Sequence, residues 1–219
     1  MSSATEFVQY ALSINALELV LGGRKLKSGR ISPYFFNSGL FCTGESISML
    51  ADAYVAPMEK FYPDVVFGPA YKGIPLAVAV SQAIDGDVGY AFNRKEEKDH
   101  GEGGIMIGAN LEGMDVAIVD DVMTTGTSSG EAVEMVRRAK GNPICCVIAF
   151  DRQERGSGIL SAVQEFERNY QIPVIAAATL TDLIAVIQEK IERQEMWSRM
   201  LDASSILQDI LEYKKQYGV

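Results

Sequence analysis

The chain has 219 residues and a formal net charge of -9, and 47% of its residues are hydrophobic. This length favours one domain, and the balance of apolar and charged residues excludes disorder for most of the chain. The longest purely apolar stretch, residues 144–150, is much shorter than the roughly 18 residues that a membrane helix needs. An acidic balance also disfavours nucleic-acid binding, because phosphate backbones attract an excess of lysine and arginine. We therefore expect no membrane span and no nucleic-acid partner.

The cysteines and the single histidine narrow the chemistry further. Cys42, Cys145 and Cys146 are odd in number and lack the spacing of a metal site. Because the adjacent pair lies in an apolar run, we interpret it as two small buried side chains of a strand. His100 is the only histidine, which excludes a histidine-rich zinc site. The N-terminus has no basic segment before an apolar one, so it is not a secretory signal, and the expected location is cytoplasmic.

The first sixty residues predict two helices on either side of an irregular segment. Apolar side chains recur at helical spacing over residues 5–21 and predict the first helix. Residues 22–44 are rich in glycine, serine and aromatic side chains. A second helix is expected over residues 43–61, where Pro57 would bend it or end it early.

The rest of the chain alternates between apolar runs and helical segments. The apolar runs, each expected to form a strand, are residues 65–67, 88–92, 116–119, 144–150 and 174–177. The expected helices are residues 73–84, 127–140, 158–169, 179–193 and 196–215. Short strands interleaved with helices indicate βαβ units, and therefore an α/β fold with a mostly parallel sheet. Ligands of such sheets bind beyond the carboxyl ends of the strands, so the polar residues that follow each run are candidates for function.

The segment VAIVDDVMTTGTSS, residues 116–129, carries the most specific pattern. A strand ends in Asp120 and Asp121, and a short loop then opens the next helix. The loop residues are Thr124, Thr125, Gly126, Thr127 and Ser128. Backbone N–H groups at the start of a helix form a cradle for phosphate, and glycine allows a close approach. Two carboxylates beside an anion need another partner, such as sugar hydroxyls or a magnesium ion. The pattern favours a ribose that carries a phosphate over an ordinary turn with one capping aspartate.

Two basic segments follow other strands. In FGPAYKGIPLA, residues 67–77, Lys72 projects from a tight turn, where it could meet a pyrophosphate or simply be solvated. The second segment is NRKEEKDHGEGG, residues 93–104, and its basic residues are Arg94, Lys95, Lys98 and His100. So much charge and glycine predicts an exposed, mobile loop. By itself it would be a solvated charge run, but beside an anion site it could close over a pyrophosphate and neutralise its charge.

Two more segments could recognise a flat, carboxylated ring. KSGRISPYFFNSGLF offers Lys27 and the aromatic side chains of Phe35 and Phe36, although such a pair is more often part of a core. FDRQERGSG places Arg152 directly after a strand. There the guanidinium could bind a carboxylate through two nitrogen atoms, or it could form a surface ion pair.

Together these segments resemble the orotate phosphoribosyltransferases, a branch of the type I phosphoribosyltransferases. The resemblance runs from Lys27 to Leu183, and the strings NRKEEKDHGEGG and FDRQERGSG are typical of this branch. It implies the type I phosphoribosyltransferase fold, in which a mostly parallel central sheet is flanked by helices. The expected organisation is a single domain over residues 1–219. Residues 1–44 would contribute a small N-terminal hood, and residues 45–219 the core and the closing helix.

The resemblance also implies roles for the candidate residues. Asp120 and Asp121 would hold the ribose hydroxyls, and residues 124–128 would bind the ribose 5-phosphate. Lys72, with Tyr71 beside it, would contact the pyrophosphate, and a non-proline cis peptide bond is often found near this position in the family. Arg94, Lys95, Lys98 and His100 would form a catalytic loop that reaches into the site of a second subunit. The residues carried over for orotate are Lys27, Phe35, Phe36 and Arg152.

The implied reaction transfers a phosphoribosyl group from phosphoribosyl pyrophosphate to orotate and gives orotidine 5'-monophosphate and pyrophosphate, a step of pyrimidine biosynthesis. The implied cofactor is Mg²⁺, carried mainly by the pyrophosphate and the ribose hydroxyls, and the implied assembly is a homodimer with shared active sites. Two alternatives stay open: a purine or uracil salvage phosphoribosyltransferase, and a regulatory protein that binds the sugar donor without turnover. Arg152 and the basic segment favour a carboxylated pyrimidine.

Overall fold

The structure is a computed structural model that describes residues 3–26, 28–98, 104–124, 126–156, 158–193 and 203–219. Its helices are α1 (Ser3–Ser13), α2 (Gly44–Met58), α3 (Gly73–Ala83), α4 (Thr127–Arg138), α5 (Ala162–Tyr170), α6 (Leu180–Glu192) and α7 (Ala203–Tyr217). Its strands are β1 (Leu17–Lys25), β2 (Ile31–Phe36), β3 (Val65–Gly68), β4 (Gly89–Lys98), β5 (Gly104–Gly108), β6 (Asp115–Asp120), β7 (Asn142–Asp151) and β8 (Val174–Thr179). Among the described residues, no helix is long and apolar enough to cross a membrane.

The central sheet has the strand order β5-β4-β3-β6-β7-β8. Strand β3 pairs in parallel with β4 and with β6, and β6, β7 and β8 continue in parallel. Only the outer strand β5 is antiparallel to its neighbour β4 within the described part of this sheet. The expected α/β fold with a mostly parallel sheet is therefore confirmed. The strand order reverses between β3 and β6, and such a switch point opens a crevice at the carboxyl ends of the strands.

Helices cover both faces of this sheet, each face over its own hydrophobic core. Helices α1, α2, α3 and α6 belong to the larger core, whereas α4 and α5 cover the opposite face. Strand β7 contributes to both cores, because successive side chains of a strand point to opposite faces of the sheet. Cys145 belongs to the larger core and Cys146 to the smaller one, and both are fully buried as predicted. Cys42 is exposed.

The first helix is shorter than predicted. It ends at Ser13, whose hydroxyl donates to the backbone carbonyl of Tyr10, and Asn15 then takes a left-handed backbone conformation with φ of 58°. Residues 17–21, which continue the helical spacing of apolar side chains, instead belong to β1, and residues 17–19 pair with β2. The prediction was wrong there because pairing with the next strand of the chain overrides a local pattern of apolar side chains.

Other boundaries differ by a few residues for local reasons. Helix α2 ends at Met58, directly after Pro57, and this agrees with the early end that the proline predicted. Helix α5 begins four residues later than expected, because the Ser161 hydroxyl accepts a hydrogen bond from the N–H of Gln164 and caps the helix. Residues 196–202 of the predicted closing helix lie outside the described residues.

The N-terminal segment shares the larger core with the central sheet. Strands β1 and β2 form a two-stranded sheet apart from the central one. The ring of Phe36 on β2 nevertheless stacks on that of Phe150 on β7, with ring centroids 5.8 Å apart, and Phe7 of α1 packs on Phe36. The single domain over residues 1–219, with a hood over residues 1–44 and a core over residues 45–219, stays a prediction.

Candidate active site

The carboxylate of Asp120 ends β6 at the switch point of the sheet. It is only 7% exposed, and its oxygens accept hydrogen bonds from the backbone N–H of Asp121 at 2.9 Å and the hydroxyl of Ser129 at 3.0 Å. Burial, followed by the charge of Asp121, raises the pKa of Asp120 above its usual value, while these hydrogen bonds oppose the shift. The first turn of α4, which contains Ser129, thus holds this acid in place.

Asp121 joins two distant parts of the chain. Its Oδ2 accepts hydrogen bonds from Lys72 Nζ at 2.6 Å and from the Ser38 hydroxyl at 2.9 Å. Its Oδ1 accepts one from the backbone N–H of Val122 at 2.9 Å. Lys72 comes from the loop after β3 and Ser38 from the turn after β2, so two predicted site residues meet here and a third was missed. The ion pair neutralises the carboxylate at the mouth of the crevice.

Tyr54 of α2 supports the backbone of the acidic pair, Asp120 and Asp121. The side chain is fully buried, and its hydroxyl donates to the backbone carbonyl of Asp120 at 2.7 Å. Burial raises the pKa of Tyr54 well above its usual value, so the hydroxyl remains a neutral donor. On the other side, the N–H of Ala149 on β7 donates to the carbonyl of Asp121 at 2.9 Å. The strand tip is therefore fixed before any ligand binds.

The loop between β6 and α4 has the features of a phosphate cradle. Gly126 takes a left-handed conformation with φ of 70° and is the residue that caps the start of α4. Thr124, Thr127 and Ser128 are exposed around it, and Thr125 lies outside the described residues. The N–H groups of the first turn of α4 and these hydroxyls are the donors that a phosphate would need. Four of the five predicted loop residues therefore surround one helix start.

Two glycines shape the turn that carries Lys72. A Cβ atom at Gly68 would overlap the carbonyl of Gly73, and one at Gly73 would lie 2.6 Å from the carbonyl carbon of Gly68. The peptide bond between Ala70 and Tyr71 is cis, as the family resemblance implied. The backbone N–H of Ala70 donates to Asn93 Oδ1 at 2.8 Å, which ties the turn to β4. Side chains would not fit where the two glycines meet, so the close approach itself requires glycine.

The basic segment is not a loop throughout, contrary to the prediction. Residues 93–98 continue β4, and residues 104–108 return beside it as β5, so both arms form a β-hairpin. The pairing has an irregularity between Asn93 and Lys98. The sequence did not predict this part of the strand, because charged residues at successive positions lack the alternation of apolar and polar side chains. A hairpin at the edge of a sheet does not need an apolar face along its whole length.

The first basic side chains of this hairpin, those of Arg94 and Lys95, lie near the turn that carries Lys72. Arg94 is half-buried and Lys95 is exposed, and Lys95 Nζ lies 6.0 Å from the centroid of the Tyr71 ring. Tyr71 itself is 71% exposed. The side chain of Lys98 and all of His100 lie outside the described residues.

The aromatic pair divides between core and surface. Phe36 is 8% exposed and stacks on Phe150, so the alternative of a core residue is correct for this ring. Phe35 is partly exposed, and the guanidinium of Arg24 lies 4.1 Å from its ring centroid. A flat substrate would therefore meet Phe35 more readily than Phe36. Lys27 lies outside the described residues.

Arg152 is an ion-paired residue, but not a surface one. Its side chain is 12% exposed, and its Nε donates to Glu154 Oε1 at 2.7 Å. A terminal nitrogen donates to the Ser32 hydroxyl at 2.8 Å, and the guanidinium lies 4.2 Å from the ring centroid of Tyr34. The guanidinium is therefore already oriented by its surroundings.

Sequence reasoning missed several residues that complete the site. They are Ser38, Tyr54, Asn93, Ser129 and Glu154. Four of them lie inside the motif strings quoted above, so a search for polar neighbours of each candidate could have found them. Tyr54 gave no signal, because its pattern is that of an aromatic side chain in the core of α2.

The acidic pair fits a magnesium ion that the substrate carries. Within the part of the chain that the structure describes, no group of three or more His, Cys, Asp or Glu side chains is placed to hold a metal ion. Mg²⁺ commonly binds through one or two carboxylates plus substrate phosphates and water. Asp120 and Asp121, beside the phosphate cradle, are a donor set of that kind.

Comparisons with known proteins agree on one family. A family model described as a phosphoribosyl transferase domain matches residues 53–175. An orotate phosphoribosyltransferase of Thiobacillus denitrificans is 45% identical over 219 residues and covers 98% of this chain and 97% of its own length. One of Nitrosococcus oceani is 46% identical over 224 residues, with coverages of 100% and 96%.

A solved structure gives the same answer. The crystal structure of the orotate phosphoribosyltransferase of Francisella tularensis is 35% identical, with a TM-score of 0.81, and the match covers 98% of this chain and 100% of that chain. The whole length of the chain is therefore matched in sequence and in fold. This chain belongs to the orotate phosphoribosyltransferase family and is, by that membership, a pentosyltransferase with the type I phosphoribosyltransferase fold.

Proposed function

We propose that this chain transfers the 5-phosphoribosyl group from phosphoribosyl pyrophosphate to orotate, and that Asp120, Asp121 and Lys72 form the centre of its donor site. The observation that carries the proposal is the meeting of Lys72 Nζ and Asp121 Oδ2, 2.6 Å apart, beside the helix start that would bind a phosphate. Family membership favours orotate over a purine or uracil base, the first alternative that the sequence left open.

The donor would bind along the crevice in a defined direction. Its 5-phosphate would lie at the first turn of α4, where N–H groups and the hydroxyls of Thr124, Thr127 and Ser128 converge. Its ribose hydroxyls would donate to Asp120 and Asp121. A hydroxyl that binds Asp121 Oδ2 would take the place of the Lys72 ammonium. Lys72 would then be free to contact the pyrophosphate.

Charge separation explains why the proposed site contains both carboxylates and cations. Breaking the bond between the anomeric carbon and pyrophosphate leaves positive charge on the ribose and negative charge on the leaving group. The carboxylates would lie beside the ribose, and the cations Lys72, Arg94, Lys95, Lys98 and His100 beside the pyrophosphate. When bound, Mg²⁺ would neutralise part of the pyrophosphate charge. The ring nitrogen of orotate would attack the anomeric carbon, and no covalent enzyme intermediate is needed.

Orotate would bind beside the hood. Arg152 would pair with the carboxylate, and Phe35 would contact the ring, with Phe36 supporting it from the core and Lys27 contributing a further cation. The largely buried position of Arg152 favours this role, because an ion pair there is screened less by water than one on the surface.

A base-specificity assay tests the proposed function. The enzyme is incubated with phosphoribosyl pyrophosphate, Mg²⁺ and either orotate, uracil or hypoxanthine, and pyrophosphate release is followed. We expect release with orotate and not with the other two bases. Release with hypoxanthine or uracil alone would support a salvage enzyme, and binding of the donor without any release would support a regulatory protein. The Asp121→Asn variant is the control for background hydrolysis.

We also propose that the chain acts as a homodimer whose basic segment serves the neighbouring subunit. Lys98→Ala should cut kcat severely with little effect on orotate binding, because its contact strengthens as pyrophosphate leaves. Mixed dimers of Lys98→Ala and Asp121→Asn subunits should regain activity, since one of their sites carries neither change. No recovery after verified subunit exchange would assign the segment to its own subunit. A cytoplasmic location stays a prediction of the sequence.

A further inference from the structure

The carboxylate of Glu154 lies between two arginines and connects three parts of the fold. Its Oε1 accepts hydrogen bonds from Arg152 Nε at 2.7 Å and from the Tyr34 hydroxyl at 3.2 Å. Its Oε2 accepts one from a terminal nitrogen of Arg30 at 3.0 Å. The side chain is only 11% exposed. Each oxygen therefore has its own guanidinium, and both contacts are shielded from bulk water.

The two arginines are held on their remaining sides as well. Arg30 donates to the carbonyl of Arg155 at 2.9 Å, and its guanidinium lies 4.8 Å from the ring centroid of Tyr217 in α7. Arg152 donates to the hydroxyls of Ser32 on β2 and Tyr213 on α7, at 2.8 and 3.5 Å. Glu154 is thus the shared acceptor of a cluster to which β2, the loop after β7 and α7 all contribute.

The charge of this cluster matches one substrate carboxylate. Two guanidinium groups share a single buried carboxylate, so one positive charge remains uncompensated among Arg30, Arg152 and Glu154. Without a fixed acceptor, the side chain of Arg152 could adopt several rotamers. Glu154 fixes one edge of the planar Arg152 guanidinium and so selects one of them. The fixed guanidinium can then meet a carboxylate without first paying the entropy of ordering.

We propose that Glu154 is a positioning residue for the base site: it orients Arg152 toward the carboxylate of the pyrimidine and, with Arg30, leaves the site one net positive charge. The inference rests on the proposed role of Arg152. It adds that recognition of the carboxylated base depends on an internal acid that does not touch the substrate, and on an arginine of the N-terminal segment that holds this acid.

Kinetics of Glu154→Gln and Arg30→Met test the proposal. Gln keeps the size of Glu154 but offers one acceptor oxygen, and its amide group would face a guanidinium. Although the net positive charge of the cluster rises by one, Arg152 loses the acceptor that orients it. We expect the KM for orotate to rise about tenfold or more, the usual loss for a hydrogen bond between charged groups, with the KM for phosphoribosyl pyrophosphate changed less than about twofold. Arg30→Met should raise the same KM by a smaller factor. The double variant should be no worse than Glu154→Gln, because both changes act through one carboxylate.

The control is Glu134→Gln, which removes an acid that pairs with Arg137 at 3.1 Å on the surface of α4. It should leave both KM values unchanged. Equal increases of both KM values in Glu154→Gln, or additive effects in the double variant, would show a structural role only and overturn the proposal. If Glu154→Gln does not fold, Arg30→Met decides by the same split between the two KM values.

Arg152→Met separates a failure of this inference from a failure of the proposed function. If Arg152→Met raises the KM for orotate while Glu154→Gln does not, the positioning role is wrong and the function stands. If Arg152→Met leaves the KM for orotate unchanged, the assignment of Arg152 is wrong and the inference is overturned with it. If the unmodified enzyme makes no orotidine 5'-monophosphate, calorimetric titration of orotate into the same variants applies the same criteria to Kd.

Discussion

Replacing Lys72 with methionine tests the central contact of the proposed donor site. Methionine has a similar length but no charge, so Lys72→Met removes the ammonium from Asp121 in the free enzyme and from the pyrophosphate in the reacting complex. The two losses act in opposite directions on the ground state. Without the ammonium, Asp121 is open to the ribose hydroxyls at once, whereas the departing pyrophosphate lacks a cation.

The structure gives the size of each effect. The Lys72 side chain is 64% exposed, so its ion pair with Asp121 contributes at most about 1 kcal/mol to folding stability. A hydrogen bond from an ammonium to a departing phosphate group is worth about 1.5–3 kcal/mol. After up to about 1 kcal/mol for the lost Asp121 contact is subtracted, about 0.5–2 kcal/mol of transition-state stabilisation remains, which is a factor of about 2–30 in rate. Most of this loss should fall on kcat, because the contact with pyrophosphate strengthens as the bond breaks.

The assay follows the consumption of orotate by ultraviolet absorbance over a range of donor concentrations. Lys140→Met is a matched control, because Lys140 Nζ lies at the same 2.6 Å from Glu112 Oε1 and its side chain is 72% exposed. That ion pair is remote from the crevice, so its loss should change kcat less than about twofold while altering stability to a similar extent. A Lys72→Met enzyme that retains more than about half of the kcat, or an equal loss in Lys140→Met, would refute the reasoning.

Three further predictions concern the acidic pair and the loop after it. In Asp120→Asn, the free energy of unfolding should rise at pH 7 and the activity should fall. Because the pKa of Asp120 is raised in the folded protein, ionisation of this acid destabilises the fold at pH values above that pKa. The gain in stability should vanish as the pH falls below about 4, where the acid is protonated in both the folded and the unfolded state. Urea unfolding across this range measures it, and a less stable variant at pH 7 would contradict it. Gly126→Ala should lower the free energy of unfolding by about 1–2 kcal/mol and raise the KM for the donor. The cause is the left-handed backbone and not a clash, because the atom nearest to an added Cβ lies 3.7 Å away. The control is Gly44→Ala, which has open space and no positive φ and should leave thermal unfolding unchanged. Tyr54→Phe should lower the free energy of unfolding by about 1 kcal/mol, since the buried carbonyl of Asp120 loses its donor, and an unchanged urea midpoint would argue against that support.

Local patterns were sufficient for the parts of the site that one stretch of chain forms. A strand followed directly by Asp120, Asp121 and the glycine-containing loop places all these groups at one helix start, so sequence alone could position them. The same holds for the turn that carries Lys72, where the glycines lie close in sequence. The crevice between β3 and β6 then brings Lys72 to Asp121, as the parallel order of the strands predicts.

Contacts between distant segments could not be predicted in this way. Strand β1 has a helical pattern of apolar side chains, and only its pairing with β2 decides against a helix. Arg152 and Glu154 are two residues apart, but Ser32 and Tyr213, which orient the guanidinium, lie more than sixty positions away. The separation of Phe36 from Phe35 likewise depends on the position of Phe150. Such details follow from packing, which a single sequence does not encode locally.

The neighbouring cysteines of β7 provide two reporters of motion in one strand. Burial raises the pKa of Cys145 to about 12 and that of Cys146 further, so we expect neither thiol to react with an alkylating reagent in the folded protein. Because Cys145 faces the larger core and Cys146 the smaller one, each becomes reactive only when its own helical layer separates from the sheet. The rates of alkylation at adjacent positions would thus time the opening of the two layers independently, with exposed Cys42 as the internal standard for unhindered reaction.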